Sequence, residues 1–217
     1  MELKQAAQER HMVRKYLDKP IPAEVLTLLN QRVEENNAKH GLAVKLVTDD
    51  STAVWTLMKI IAKNANNYFI LAGDEADDLG DRVGYASADL MLYAQTLGLN
   101  TWWVGGTFNK KVQRFVGGKK VIGIVTVGYG ATPGTQHKMK TYEQVAHYEG
   151  EAPAWFRQGV AFALLAPTAL NKMAVTINGK GNEVQMKVNN GAFSGVDKGI
   201  IQYHFELGAG ADNFHWV

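Results

Sequence analysis

The stretch DRVGYASADLMLYAQTLGLNTWWVGG, residues 81–106, decides how the rest of the chain is read. Val83, Ala86, Leu90, Ala94 and Leu97 recur at spacings of 3, 4, 4 and 3, the repeat of a single helix face. Gly98 follows where a left-handed residue can end the helix. NTWWVGG then reads as a strand closing on a glycine pair. A long amphipathic helix running almost directly into an aromatic strand asks for a fold in which helices cover a sheet.

The flanking segments agree. A short helix is predicted over about residues 3 to 10. DKPIPAEVLTLLNQRVEEN, 18–36, is a proline turn followed by a helix with Val25, Leu28, Leu29 and Val33 on one face. LAVKLVT, 42–48, is a strand, and TAVWTLMKIIAKN, 52–64, reads as a second amphipathic helix. YFILAG, 68–73, is continuously apolar, as a strand covered on both faces would be. NKKVQRFVG, 109–117, is a small helix, and KVIGIVTVGYG, 120–130, a strong central strand.

The remainder repeats this order. APAWFRQGVAFALLAP, 152–167, matches PIPAEVLTLLNQRVEE, 20–35, as a proline-led helix. KMAVTING and EVQMKVNN are strands. VDKGIIQYHFELGAG, 196–210, matches the opening helix, with an apolar face of Val196, Ile200, Tyr203 and Leu207 and a glycine stop. HKMKTY, 137–142, faintly echoes HMVRKY, 11–16. Two similar α+β halves about a pseudo-twofold axis account for this, as does coincidence, since helices often begin with acids and end with glycine.

The 217 residues suffice for one large domain or two small halves. Hydrophobic residues make up 46% and charged residues 20%, a folded rather than a disordered balance. A net charge of +2 disfavours a nucleic-acid partner. With no cysteine, disulfides, zinc–thiolate centres and cysteine nucleophiles are excluded. No apolar run approaches a membrane span, and MELKQAAQER lacks an apolar signal core, so a cytoplasmic protein without a membrane partner is expected.

Two short stretches carry chemistry. ERHMVRKY, 9–16, crowds two arginines, a histidine and a lysine into eight positions of a nearly neutral chain. LLAPTALN, 164–171, breaks an apolar helical run with a proline and sets an asparagine just beyond it. Arg10 and Arg14 are four apart, so a helical turn would converge both on one anion; alternatively they solvate a helix end. Arginine's forked donors suit phosphate oxygens.

Taken together, ERHMVRKYLDKPIP, the 81–106 stretch, VTVGYGATPG (125–134) and APTALN (166–171) resemble the nitroreductase family. The proline–asparagine segment, usually in the first third of such chains, falls here at 167–171. That order is similar to a branch in which two degenerate halves are fused in one chain. The resemblance implies a nitroreductase-like α+β fold, with a mixed or antiparallel sheet flanked by helices. It implies a first half over 1–136 and a shorter second half over 137–217, in one intertwined unit. It further implies a flavin mononucleotide (FMN) site that in dimeric relatives lies between subunits. Here the first half would supply Arg10, His11, Met12 and Arg14, and the second half Pro167, Thr168, Ala169 and Asn171. VEENNAKHGL, 33–42, has no such turn, so one flavin per chain is expected.

The family pattern also implies that Trp103, Val104, Gly105 and Gly106 border the ring, with backbone N–H groups near its N5. Lys138 and Lys140 would lie near the phosphate. Met12 replaces the family's serine and cannot donate a side-chain hydrogen bond. The implied activity is an FMN-dependent oxidoreductase cycle: NAD(P)H reduces the flavin, and a small acceptor such as a nitroaromatic or quinone reoxidises it. No side chain is expected as a required acid or base. The alternative is a flavin binder or degenerate scaffold without turnover. A monomer is expected, with a homodimer left open.

Other patterns weigh less. GYGATPG, 128–134, has the wrong spacing for a dinucleotide loop, and no phosphate-binding loop or serine elbow occurs. His204, Glu206, Asp212 and His215 lack a metal-site spacing, and no metal is expected; Phe214 and Trp216 read instead as packing the tail down.

Overall fold

The computed structural model describes residues 1–55 and 60–217. Its helices are α1 (Leu3–Glu9), α2 (Ala23–His40), α3 (Leu79–Thr96), α4 (Tyr142–Val145), α5 (Ala154–Ala163) and α6 (Ser194–Ala209). Its strands are β1 (Lys45–Val47), β2 (Tyr68–Gly73), β3 (Asn100–Val104), β4 (Lys120–Gly128), β5 (Ala146–Tyr148), β6 (Val175–Lys180), β7 (Glu183–Val188) and β8 (His215–Trp216).

The opening helix ends as its sequence demands. The Leu99 amide donates to the Ala94 carbonyl at 3.0 Å and the Gly98 amide to that of Gln95 at 3.0 Å. Gly98 has φ 78°, the left-handed value this paired ending requires. The chain then enters β3 directly.

The first sheet has the order β1-β2-β4-β3 and is antiparallel throughout. Both of its faces are covered, which is why YFILAG is buried at every position. Phe69, Leu71, Val125 and Val127 pack under α2 and α3. Tyr68, Ile70, Trp102, Val104 and Ile124 pack on the other face with Val13 and Tyr16. The second sheet, β5-β6-β7-β8, is mixed: β6 and β7 form an antiparallel hairpin, and the outer strands join in parallel. Its core includes Phe156, Val160, Ile177, Val184, Ile201 and Phe205.

α3 and α6 join the two cores, and they touch backbone to backbone. A Cβ on Gly84 would lie 2.2 Å from the Val196 carbonyl oxygen, and one on Gly199 2.0 Å from that of Asp81. Gly80 and Gly195 face each other one turn earlier. Gly199→Ala should therefore destabilise the protein by about 2–3 kcal/mol through forced separation of the helices. Thermal denaturation measures it, and an unchanged midpoint would contradict the close crossing.

Some expectations are corrected. The described ends of the 52–64 stretch are not α-helix: Val54 forms an isolated bridge with Phe108, Ile60 is in 3-10 conformation, and residues 61–64 hold a turn and bends. Residues 56–59 of that expected helix lie outside the described residues. Leu28, assigned to the buried face of α2, is 38% exposed, whereas Leu29 and Val33 are buried. The small helix at 109–117 is a 3-10 helix over Lys110–Phe115. The sequence reading passed over the edge strands β5 and β8, three and two residues long, too short for alternation to register.

Candidate functional site

α1 stops at Glu9, Arg10 is extended, and the chain beyond passes β3 at Met12 and Val13 and bridges Gly130 at Tyr16. The Val13 amide donates to the Thr101 carbonyl at 3.1 Å, and Met12 bridges Thr101 in parallel. The expected helical turn at Arg10–Arg14 is thus corrected to an extended segment. Side chains in such a segment alternate. His11 and Val13 lie against Gly134, where a Cβ would meet the His11 Cβ at 2.8 Å. Arg14 is exposed and stands 5.4 Å over the Trp102 ring.

Arg10 is different. It is 6% exposed, and no carboxylate pairs with it among the described residues. Its Nε is buried without a partner. Burial pushes its pKa down to about 10, so it remains charged at neutral pH. An isolated buried cation costs several kcal/mol, and such a group normally has an anion.

The titratable groups that feel the Arg10 charge are His137 and His204. His137, near Arg10 and His11, has its pKa lowered chiefly by burial. The His137 ring nitrogen Nε2 lies 3.4 Å from the Leu164 carbonyl oxygen. The segment after His137 is tied to the turn after α5. Asn171 Nδ2 donates to the Lys138 carbonyl at 2.9 Å, and Lys140 Nζ donates to the Met173 carbonyl at 2.8 Å.

That turn is tightly built. The Met173 amide donates to Thr168 Oγ1 at 3.0 Å, and the Ala169 amide to Asp197 Oδ1 at 2.8 Å. Leu170, Asn171 and Met173 all take left-handed φ values between 42° and 55°, a conformation that L side chains disfavour. Pro167 is half-buried, and Leu170 is 86% exposed at the tip. Strain of this kind persists where the surroundings hold it, and it clusters at ligand sites.

The strand end also reaches this region. Trp103 donates from Nε1 to Ser87 Oγ at 3.2 Å and meets Phe193 edge to face, centroids 5.9 Å apart. Phe193 lies on Gly105, where a Cβ would be 2.6 Å from its ring. A Cβ on Gly106 would meet no atom within 4 Å, so the backbone there is open. Val104 faces the opposite core. The fold therefore brings Arg10, His11, His137 and the 167–173 turn into one neighbourhood. Gly105 joins it through Phe193, the residue just before α6, whose Asp197 holds the turn.

A cavity of about 250 Å³, lined by Ser51, Val54, Ala62 and Lys63 to Asn66, includes none of these residues. The sequence reading gave His204 no role in the site and passed over Asp197, Phe193 and Thr101. His204 was legible as a buried position, four residues after Ile200 on the apolar face of α6.

Residues 2–209 match the sequence model of a family described as "Putative TM nitroreductase". The chain belongs to this family. Solved nitroreductase folds agree. A structure described as a "putative nitroreductase" from Thermotoga maritima superposes with TM-score 0.72 at 20% identity, over 95% of this chain and 83% of that one. An "FMN-dependent Nitroreductase" from Clostridium difficile gives 0.52 at 18%, over 64% and 95%. One "in complex with fmn" from Desulfovibrio desulfuricans gives 0.53 at 15%, over 70% and 98%. At these identities the likeness is one of fold, and the nitroreductase-like α+β architecture holds. No curated protein matches the chain.

Within this nitroreductase-family chain, packing of the tail accounts for the weak metal pattern. Glu206 accepts from Tyr85 at 2.6 Å and from Trp216 at 2.8 Å, and Phe214 stacks on Trp155 at 5.6 Å. Among the described residues no three His, Asp or Glu side chains are placed to hold a metal ion, and no helix is long and apolar enough to cross a membrane.

Proposed function

We propose that the chain is an FMN-dependent NAD(P)H oxidoreductase that reduces a small acceptor such as a nitroaromatic or a quinone. One observation carries this reading: a buried guanidinium with an unpartnered donor, beside His137 and His204 and with no carboxylate paired to it among the described residues. The complement of that arrangement is a phosphate, which is close to a dianion at neutral pH.

The residues present fit the cofactor. Arg10 would grip the phosphate, with Lys138 and Lys140 adding positive charge nearby. Backbone groups of Met12 would serve where its side chain cannot. Asn171 would lean in from the far turn, its amide braced on the Lys138 carbonyl. Gly105 and Gly106 would present backbone to the ring beside Trp103 and Phe193. When bound, FMN supplies the hydride acceptance and return; the protein binds, orients and shields it.

The same reading makes residues 1–136 and 137–217 two degenerate halves. Glycines recur at the same spacing in α3 and α6, at 80 and 84 and at 195 and 199. Five residues past the second glycine stand Asp89 and His204, and the two are treated differently. Asp89 accepts from Arg32 at 2.7 and 2.6 Å, from Asn36 at 2.7 Å and from Tyr203 at 2.7 Å. His204 Nε2 is left unpartnered. The helices before them differ too. α5 gives way to the proline–asparagine turn, whereas α2 continues to His40 and brings Arg32 and Asn36 onto Asp89. The first half thus fills with its own ion pair the place that the second half leaves for a ligand, and one flavin binds per chain.

The visible spectrum of purified protein, or of protein given FMN, tests this. One flavin per chain is expected, bleached by NADH or NADPH and restored by a nitroaromatic or quinone. A flavin that binds but is never bleached would make the chain a binder without turnover. Two flavins per chain would contradict the degenerate halves.

A further inference from the structure

Buried polar atoms in this neighbourhood without a partner among the described residues are Arg10 Nε, a donor, His204 Nε2 and Thr101 Oγ1. His204 is 1% exposed, in α6 where that helix packs against α1. Its Nδ1 lies 2.8 Å from the Ile200 carbonyl oxygen. A carbonyl can only accept, so Nδ1 carries a proton, and in the neutral ring Nε2 is a bare lone pair.

The charged and titratable groups felt at His204 are Arg10, at the end of α1, and His137, on the segment before α4. The other elements packed on α6 send theirs elsewhere. From α3, Asp89 binds Arg32, Asn36 and Tyr203, Tyr85 binds Glu206, Asp81 pairs with Lys198, and Arg82 reaches the His40 carbonyl. From α5, Arg157 binds the Ala152 carbonyl. Burial among these groups holds the His204 ring neutral, its pKa pushed down to about 4. A dianion placed beside it reverses that balance, because an opposite charge favours the protonated ring.

We propose that His204 completes the phosphate site, taking one proton from solvent when the phosphate docks at Arg10 and then donating Nε2–H toward the anion. The inference rests on the flavin reading above. It makes FMN binding proton-linked, and riboflavin, which has no phosphate, binds without that linkage.

Calorimetric titration at pH 7.5, in buffers of different ionisation enthalpy, reads the proton change directly. The wild-type protein should take up a substantial fraction of one proton with FMN and none with riboflavin. His204→Leu should abolish the uptake and weaken FMN roughly tenfold, the effect of one charge-assisted hydrogen bond, with riboflavin unchanged. His204→Gln keeps a donor but cannot titrate, so it should recover affinity without proton uptake. Imidazole NMR of the wild-type protein needs no variant: the His204 ring should shift to its protonated form as FMN saturates. FMN binding with no proton exchange, an unshifted His204 ring, or uptake that persists in both His204 variants and vanishes in His137→Gln overturns the proposal while leaving the flavin reading intact. Failure to bind FMN at any pH overturns both.

Discussion

Arg10→Met should strip the protein of FMN while leaving its ligand-free fold at least as stable as before. The two effects have opposite signs because the guanidinium is buried without a counter-ion among the described residues. In the ligand-free protein it carries a desolvation penalty that no attraction offsets, so an apolar side chain of similar length relieves that penalty. With phosphate bound, two charge-assisted hydrogen bonds disappear, and affinity should fall roughly a hundredfold. Fluorescence quenching of FMN on titration measures the first effect, and thermal melting without ligand the second. Riboflavin should bind the variant and the wild type alike. If Arg10→Met melts well below the wild type and binds FMN as tightly, the arginine is a structural brace and the phosphate lies elsewhere.

Asp89→Ala should be the most destabilising of these substitutions, at roughly 3–5 kcal/mol, and should leave flavin stoichiometry at one. Asp89 is 4% exposed and receives four hydrogen bonds from three side chains on two helices. Its carboxylate holds the Arg32 pKa above the usual guanidinium range. Removing it leaves the Arg32 charge, the Asn36 amide and the Tyr203 hydroxyl facing a small cavity. Stability of a domain this size is about 5–15 kcal/mol, so the loss should show as a fall of about 10 °C in melting temperature. The pair Arg32→Met with Asp89→Leu should recover much of it, because the uncompensated charge is then absent. Equal melting of single and double variants would show that the pair contributes nothing through its charges.

The parts of the fold that were legible are those in which local pattern and tertiary packing agree. α3 carries its face, its glycine ending and its following strand in consecutive residues, and β2 shows its double burial by having no polar position. The helix expected over 52–64 does not extend over residues 52–55, where the two disagree. There Val54 pairs with Phe108, and Trp55 Nε1 donates to the Phe108 carbonyl at 2.9 Å, contacts that no local period announces. The arginine segment behaved likewise. Its four-residue spacing suits a helix, but β3 offers Val13 a backbone partner and draws the chain straight.

Of the candidate site, the residue types were visible and their division of labour was not. Arg10 and Arg14 look equivalent in sequence, yet one is buried and the other lies over an indole. That difference depends on where α6 and the 137 segment pass. Asn171 was expected to reach a ligand from the far turn, and nothing local announced that its amide also fastens that turn to the Lys138 carbonyl. His204 sat in plain view on an apolar helix face, and what singles it out is the unpartnered Nε2 and the charge of Arg10, nearly the whole chain away.

The bare contact between α3 and α6 has a consequence for how such a protein can change. Where two helices meet through side chains, each substitution resets their separation, and any cleft hinged on them widens or narrows in step. Here main chain rests on main chain, so the spacing is fixed by the thickness of the peptide itself. Exposed residues such as Leu170 and Met12 are then free to vary while the separation of the two helices stays the same.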